Sequence, residues 1–438
     1  MNGISPKRFI VSVIIFSCVI FFVLDKVQSE EIKFDAGFVL ERNKIMLGEP
    51  LFVTFYVTNT GAQTFYLETG GDYRGARSSR FQFKAVDADG HSAPDPYPDA
   101  PNFGGIISNP KVPSHGSYSE KIYLPLWVKF DHPGEYVVRG QREIQFLDKE
   151  EFSRNYALVQ TFHADFKLTV QPIDLKRLGD RIQQLASQLD SPDAANAARQ
   201  IGDIEDERVV PYLVRIIEQN KHDALAFAVE GLGKHPGPEA VNALIRALQI
   251  KGDSFVRREA AGALGNMKSA LAVDALIAVL GDGDEFLRSQ AAYSLGKLDD
   301  TRAIEPLKAR LSDPNMIARL ASVEALHTLG EPFQAGWVLP IVQSEQLNEF
   351  QNAVWFVRNN AGSNAPVLLA RCLNMTNPSV TNYYNYTLVW QIAACGGPKL
   401  TYHHDFDHEG TPEQVKENRR TLKALDDWLH SLKSPASN

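Results

Sequence analysis

The sequence predicts a multidomain α+β protein: an N-terminal antiparallel β-sandwich, then an α-solenoid of two-helix repeats, then a helical C-terminal cap. Three observations carry this reading. The pairs Ile201-Gly202, Leu232-Gly233, Leu264-Gly265 and Leu295-Gly296 recur every 31 or 32 residues, the period of stacked helical units. From Glu31 to about Pro172, short alternating apolar runs are separated by turn residues. From Glu331 the period lapses and aromatic residues accumulate. The expected divisions are a leader over 1–29, the sandwich over 30–172, the repeats over 173–330, and divergent helical repeats with the cap over 331–438.

The leader begins with Lys7-Arg8, continues through the apolar run Phe9 to Leu24, and offers the small residues Val27 and Ser29 for signal-peptide cleavage before Glu30. Export to the periplasm, the cell envelope or the exterior is expected. The run of 16 residues is short for a membrane helix, and Asp25-Lys26 leave an uncleaved anchor as the alternative and the sole expected membrane contact. Cys18 lies inside this run. Cys372 and Cys395, the other two cysteines, either form one disulfide in an oxidising compartment or remain two buried thiols. No cysteine and histidine spacing suits structural zinc.

With 438 residues, 44% hydrophobic and 22% charged, the chain holds apolar material for more than one core. The formal net charge is -8. Without Lys/Arg clusters, such a chain is a poor partner for nucleic acid or anionic lipid.

In the β region, Leu51 to Thr58 is rich in β-branched and aromatic residues, opened by Gly48-Glu49-Pro50 and closed by Asn59-Thr60-Gly61. Phe81 to Val86 alternates and ends at Asp89-Gly90. Further strands are expected at Tyr118 to Leu124, Tyr136 to Arg139 and Ala164 to Val170. Turns at this spacing point to two packed sheets. The arrangement resembles the immunoglobulin-like modules of bacterial exported proteins. Between Asp87 and Gly116 six prolines interrupt the pattern, read here as a passive excursion in extended polyproline geometry.

Beyond Gln171-Pro172-Ile173-Asp174 the period becomes helical, with Leu178, Ile182, Leu185 and Leu189 on one face. The second helix of each repeat shows the stripes Val210, Leu213, Val214, Ile217; Val241, Leu244, Ile245, Leu248; and Val273, Leu276, Ile277, Leu280. A fourth copy uses Ile304, Leu307 and Leu311, with Lys308 breaking the stripe. First helices carry small residues instead, Ala260-Ala261 and Ala291-Ala292, which permit close approach. Near the C-terminus, Thr411-Pro412-Glu413-Gln414 reads as a capped helix start, followed by the apolar face Leu422, Leu425, Leu429, Leu432.

Val256 to Gly265 and Leu287 to Gly296 resemble the HEAT-type repeats named for phycobilisome lyases, over roughly residues 190 to 330. The resemblance implies architecture and not an enzyme. Deoxyhypusine hydroxylase, a helical-repeat enzyme, resembles the same architecture, and its family holds two irons with His-Glu pairs. Here His222 precedes Asp223, His235 precedes Pro236 and His327 precedes Thr328, so the pair is missing at each position. Export would also separate the chain from a cytoplasmic bilin substrate.

The densest set of potential metal ligands is His403, His404, Asp405, Asp407 and His408, whose imidazoles and carboxylates suit divalent transition metals. The alternative is a solvated loop between helices, and no HExxH spacing occurs. Asp282 with Arg288 and Asp313 with Arg319 recur at equivalent places; a turn Asp capping the following helix and an Arg pairing along the stack account for them. The aromatics Trp337, Phe350, Trp355, Phe356, Tyr383, Tyr384, Tyr386 and Trp390 are expected to pack in the core or cap, with stacking on sugar rings as the alternative. Asn374-Met375-Thr376 and Asn385-Tyr386-Thr387 match the glycosylation pattern by accident in a bacterial style of chain. The reading is a non-catalytic, exported scaffold that binds a protein partner and takes no cofactor; a metal-dependent enzyme and a glycan-binding envelope protein are the alternatives.

Overall fold

The computed structural model describes residues 32–432, apart from 71–72, 75–76, 79, 100–101, 104–106, 148–157, 345–346, 375–381 and 406–409. The leader and Cys18 lie outside the described residues. Among the described residues no helix is long and apolar enough to cross a membrane. The chain divides into two compact units, a β unit (1–43, 51–130, 134–169) and a helical unit (44–50, 131–133, 170–438).

In the β unit, Phe52–Asn59 is the middle of a three-stranded antiparallel sheet between Phe34–Leu40 and Ser117–Tyr123. A larger antiparallel sheet is built on Gly134–Leu147, which pairs with Phe81–Asp87 along 136–142 and with Phe65–Leu67 at 146–147. Aromatic rings fill the space between the sheets, with Phe38 5.5 Å from Phe83 and Phe55 5.7 Å from Phe81. Arg142 lies among them, 0% exposed, with its guanidinium 4.5 Å from the Phe81 ring and Nη2 donating to the Glu68 carbonyl at 3.1 Å. Burial pushes its pKa down to about 10. The structure extends the expected Tyr136–Arg139 strand to fourteen residues, because Arg142 occupies an inward position and interrupts the apolar alternation that marks a strand.

The proline-rich excursion is pinned and not passive. Arg77 holds Asp95 through Nη1 at 2.8 Å and donates to the Tyr97 carbonyl at 2.6 Å, while Lys111–Val112 pairs with Phe65–Tyr66. Gly48-Glu49-Pro50 also departs from its expected role as a strand opener. Glu49 belongs to the helical unit, where it accepts from the Met46 N–H at 2.9 Å and pairs with Arg181 at 3.3 Å.

The helical unit runs α1 (Leu175–Gln188), α2 (Ala194–Asp203), α3 (Val210–Glu218), α4 (His222–Gly233), α5 (Pro238–Ala247), α6 (Ser254–Met267), α7 (Val273–Val279), α8 (Glu285–Leu298), α9 (Ile304–Ala309), α10 (Met316–Thr328), α11 (Ala335–Val342), α12 (Leu347–Asn360), α13 (Ala365–Ala370), α14 (Tyr383–Ala394) and α15 (Pro412–Ser431). Asp174, Asp253, Asp284 and Asn315 cap α1, α6, α8 and α10 by accepting backbone N–H bonds in the first turn. Val210, Leu213, Val214 and Ile217 are buried, as are Val241, Leu244 and Leu248, and Val273, Leu276 and Leu280. Each stripe is removed from water by the neighbouring pair, at about 25 cal/mol per Å2.

Pairing of helices continues past residue 331, where the sequence period lapses. Val338, Ile341, Phe350, Val354, Leu369 and Leu388 join Leu422 and Leu425 of α15 in a second core. The start of α15 is the expected capping box, Thr411 and Gln414 exchanging bonds at 3.2 and 2.8 Å. Leu432 departs from the expected apolar face and is exposed. Cys372 and Cys395 are free thiols, and burial pushes the Cys372 thiol up to about 12.

Close approach of the first helices fixes the stacking. A Cβ on Gly231 would lie 2.6 Å from the Gly202 Cα, and one on Gly202 would lie 2.9 Å from the Gly231 Cα, so α2 and α4 meet backbone to backbone. Gly231→Ala is expected to lower stability by about 1–3 kcal/mol through overpacking. Gly262→Ala, whose methyl would meet only the mobile end of Gln290 at 3.3 Å, is expected to raise stability by about 0.5–1 kcal/mol through helix propensity. Urea unfolding of the two variants tests these opposite signs.

Candidate binding groove

On α12, Phe350, Ala353, Val354 and Val357 are buried, and helical spacing therefore turns Gln351, Asn352 and Trp355 outward. On α14, burial of Asn385, Leu388, Val389 and Ile392 likewise leaves Tyr386 and Trp390 exposed. The two outward faces enclose a groove of about 720 Å3, lined by Gln351, Asn352, Trp355, Tyr383, Tyr386, Thr387, Trp390 and Gln391 with Val354 at its floor. Trp355 is 60% exposed and Trp390 58% exposed. These two and Tyr386 therefore depart from the expected core packing, whereas Phe350 and Phe356 follow it.

Two buried asparagines position the groove. Asn385 accepts from the Asn374 N–H and donates to the Asn374 carbonyl, both at 2.9 Å. That engagement leaves the Asn385-Tyr386-Thr387 match without an accessible amide; residues 375–376 of the other match lie outside the described residues. Asn418 of α15 makes the same double bond to the backbone of His403, at 2.6 and 2.9 Å, and Thr421 donates to the Thr401 carbonyl at 2.5 Å. This clamp sets residues 401–405 against α15 and lays His404 over Tyr386, ring centroids 4.9 Å apart and 24° between planes. Burial lowers the His404 pKa, which favours the neutral ring.

The expected ligand set is placed as follows. His403 Nε2 lies 2.9 Å from Glu417 Oε2, His404 stacks on Tyr386, and Asp405 follows it in the clamped segment. Asp407 and His408 lie outside the described residues. Among the described residues, the three ligand-type side chains that do come together are Asp87, Asp89 and His91, on a turn of the β unit that the sequence reading missed. Asp87 organises that turn by accepting from the His91 and Asp89 N–H groups at 2.8 and 3.0 Å.

The recurring acids and bases are consumed in the stack. Arg257 pairs with Asp282 and Arg288 with Asp313, each bridging one repeat to the next over 25 residues. Arg288 Nε and Nη2 lie 2.8 and 2.7 Å from the Asp313 carboxylate, whose side chain is 1% exposed. Capping falls to Asp284 and Asn315, two residues after the acids the sequence reading assigned to it. Burial works against the charge on Asp313, but bonds from Arg288 and the Asn315 N–H outweigh it and hold the carboxyl below its ordinary value.

Residues 180–265 and 251–327 match the family of HEAT repeats. No curated protein matches the chain. Among solved structures, the complex of CpcE and CpcF of phycocyanin lyase from Nostoc has a chain 20% identical, with a TM-score of 0.33, covering 55% of this chain and 94% of that one. Human deoxyhypusine hydroxylase is 18% identical with a TM-score of 0.27, covering 54% of this chain and all of the other (100%). At these identities and scores neither activity passes to this chain.

Asp313→Asn leaves Arg288 buried without its charge partner and is expected to cost about 3–5 kcal/mol at pH 7. Because the folded carboxyl titrates below its unfolded value of about 3.9, the stability it contributes is present above that value and is lost as pH falls through the folded pKa. Denaturant unfolding at a series of pH values should show the gap between wild type and Asp313→Asn closing below about pH 4.

Proposed function

We propose that this chain, whose residues 180–327 are HEAT repeats, is an exported, non-catalytic binding protein that recognises a protein partner on the outer face of its first helices. The observation that carries this reading is a row of exposed rings on that face: Phe255 of α6, and Phe286 and Tyr293 of α8, are each about half exposed. Tyrosines and arginines concentrate binding energy at protein interfaces. Cations accompany the rings in register. Arg199 lies 5.3 Å from Phe227, Arg258 lies 5.4 Å from Phe286, and Lys297 lies 4.6 Å from Tyr293. A non-catalytic role is supported by the commitment of Arg257, Asp282, Arg288 and Asp313 to pairs that join repeats.

Export is supported by the Lys7-Arg8 start, the apolar run and the small residues Val27 and Ser29. Export predicts that the mature protein isolated from the cell envelope begins at Glu30, which mass spectrometry reads directly; a chain retaining residues 1–29 in the membrane fraction would indicate the anchor instead.

A photo-crosslinking residue placed at Tyr293 is expected to capture one partner in intact cells. Phe286→Ser with Tyr293→Ser should weaken affinity for that partner about tenfold or more, while Leu271→Ser, exposed on the turn leading into α7, should leave it unchanged. Equal loss in both variants would remove the first-helix face from the recognition surface.

A further inference from the structure

We infer that the groove between α12 and α14 binds a neutral chain of β-linked pyranose sugars, with Trp355 and Trp390 as the stacking surfaces. The two indoles are the largest exposed rings of the helical unit, 60% and 58% exposed, and among the described residues nothing covers them. A volume of about 720 Å3 falls within the size of small-ligand sites, about 300–1,000 Å3. Flat apolar faces bordered by polar groups suit the C–H face and the hydroxyl rim of a sugar ring.

The polar lining narrows the ligand. Gln351, Asn352, Thr387, Tyr383 and Gln391 all offer donors and acceptors together, as a sugar hydroxyl does. None of the lining residues is a Lys, Arg, Asp or Glu. An anionic or cationic ligand would therefore enter without a counter-charge. Two of the amides are held in place: Gln351 Nε2 donates to the Tyr383 hydroxyl at 2.5 Å, and Gln391 Oε1 accepts from Arg358 at 3.1 Å. The first keeps its carbonyl for a ligand hydroxyl and the second keeps its amino group.

A proline-rich peptide also docks on aromatic grooves, but its carbonyls accept and offer no donor to the Gln351 carbonyl. Sugar hydroxyls satisfy both kinds of amide group. The site is also rigid on one side, because His404 stacks on Tyr386 and the Asn418 clamp fixes the segment that carries His404. Such support lowers the cost of ordering the aromatic wall when a ligand arrives. This inference does not rest on the partner reading, since Trp355 and Trp390 stand apart in sequence and helix from Phe286 and Tyr293 on α8.

The test is titration of the full chain with cellohexaose, chitohexaose and a proline-rich decapeptide, followed by calorimetry and tryptophan fluorescence. Saturable binding of one of the two oligosaccharides is expected, with quenching of the indole signal. Trp355→Ala and Trp390→Ala should each weaken it about tenfold or more, and because both side chains are exposed, the melting temperature of each variant should stay near that of the wild type. Gln351→Leu should weaken binding while leaving both indoles in place. The inference is overturned if neither oligosaccharide binds, if binding survives both tryptophan substitutions unchanged, or if the peptide alone saturates the groove.

Discussion

Where Gly202 meets Gly231, two helix backbones touch with no side chain between them, and this contact sets the spacing of everything built on it. A two-helix unit with a stripe such as Val241, Leu244 and Leu248 cannot bury that stripe alone, so neighbouring units must supply the cover. The cover is complete only if the first helices come close enough for the second helices to interdigitate. Small residues perform the same task further along: a Cβ on Gly265 would lie 2.6 Å from the Ser294 Cβ, and one on Gly296 would lie 2.9 Å from the Ala325 Cα. Apolar burial supplies the driving force, and the absence of side-chain volume at a few positions decides the geometry.

Polar groups inside the cores add a second layer of definition. Arg288 with Asp313 ties one turn to the helix of the preceding repeat, and Arg257 with Asp282 repeats the tie one unit earlier. A buried ion pair gains little over a well-packed apolar pair, but breaking it is costly, so it penalises every arrangement in which the partners do not meet. Asn385 and Asn418 act in the same way on loops, each holding a backbone segment through one accepted and one donated bond. In the β unit, Arg142 spans the Phe55 and Phe81 rings where an aliphatic residue would ordinarily stand.

The groove follows from these constraints. Once α12 and α14 are fixed as first helices by the burial of Phe350, Val354, Leu388 and Ile392, their remaining faces must point outward, and the residues there are Trp355, Tyr386 and Trp390. The stack thus exposes large rings without a compensating apolar neighbour. The recognition surface and the architecture are two faces of the same helices, one filled by small and aliphatic residues and the other free to vary.

The sequence by itself determined the fold class and the repeat. The period of the Leu-Gly pairs, the stripes of the second helices, the Thr411 capping box and the strand Phe52–Asn59 were all legible, because each is a local pattern written within a few turns of chain. Tertiary structure decided what local pattern does not encode. The inward place of Arg142, the pairing of Glu49 with Arg181, the anchoring of the proline-rich stretch by Arg77, and the exposure of Trp355 and Trp390 depend on partners 18 to 132 residues away or on which helix face the neighbouring unit covers. Aromatic side chains look alike in sequence whether they fill a core or line a groove. The side on which the next helix packs separates the two, and that is a property of the assembled stack.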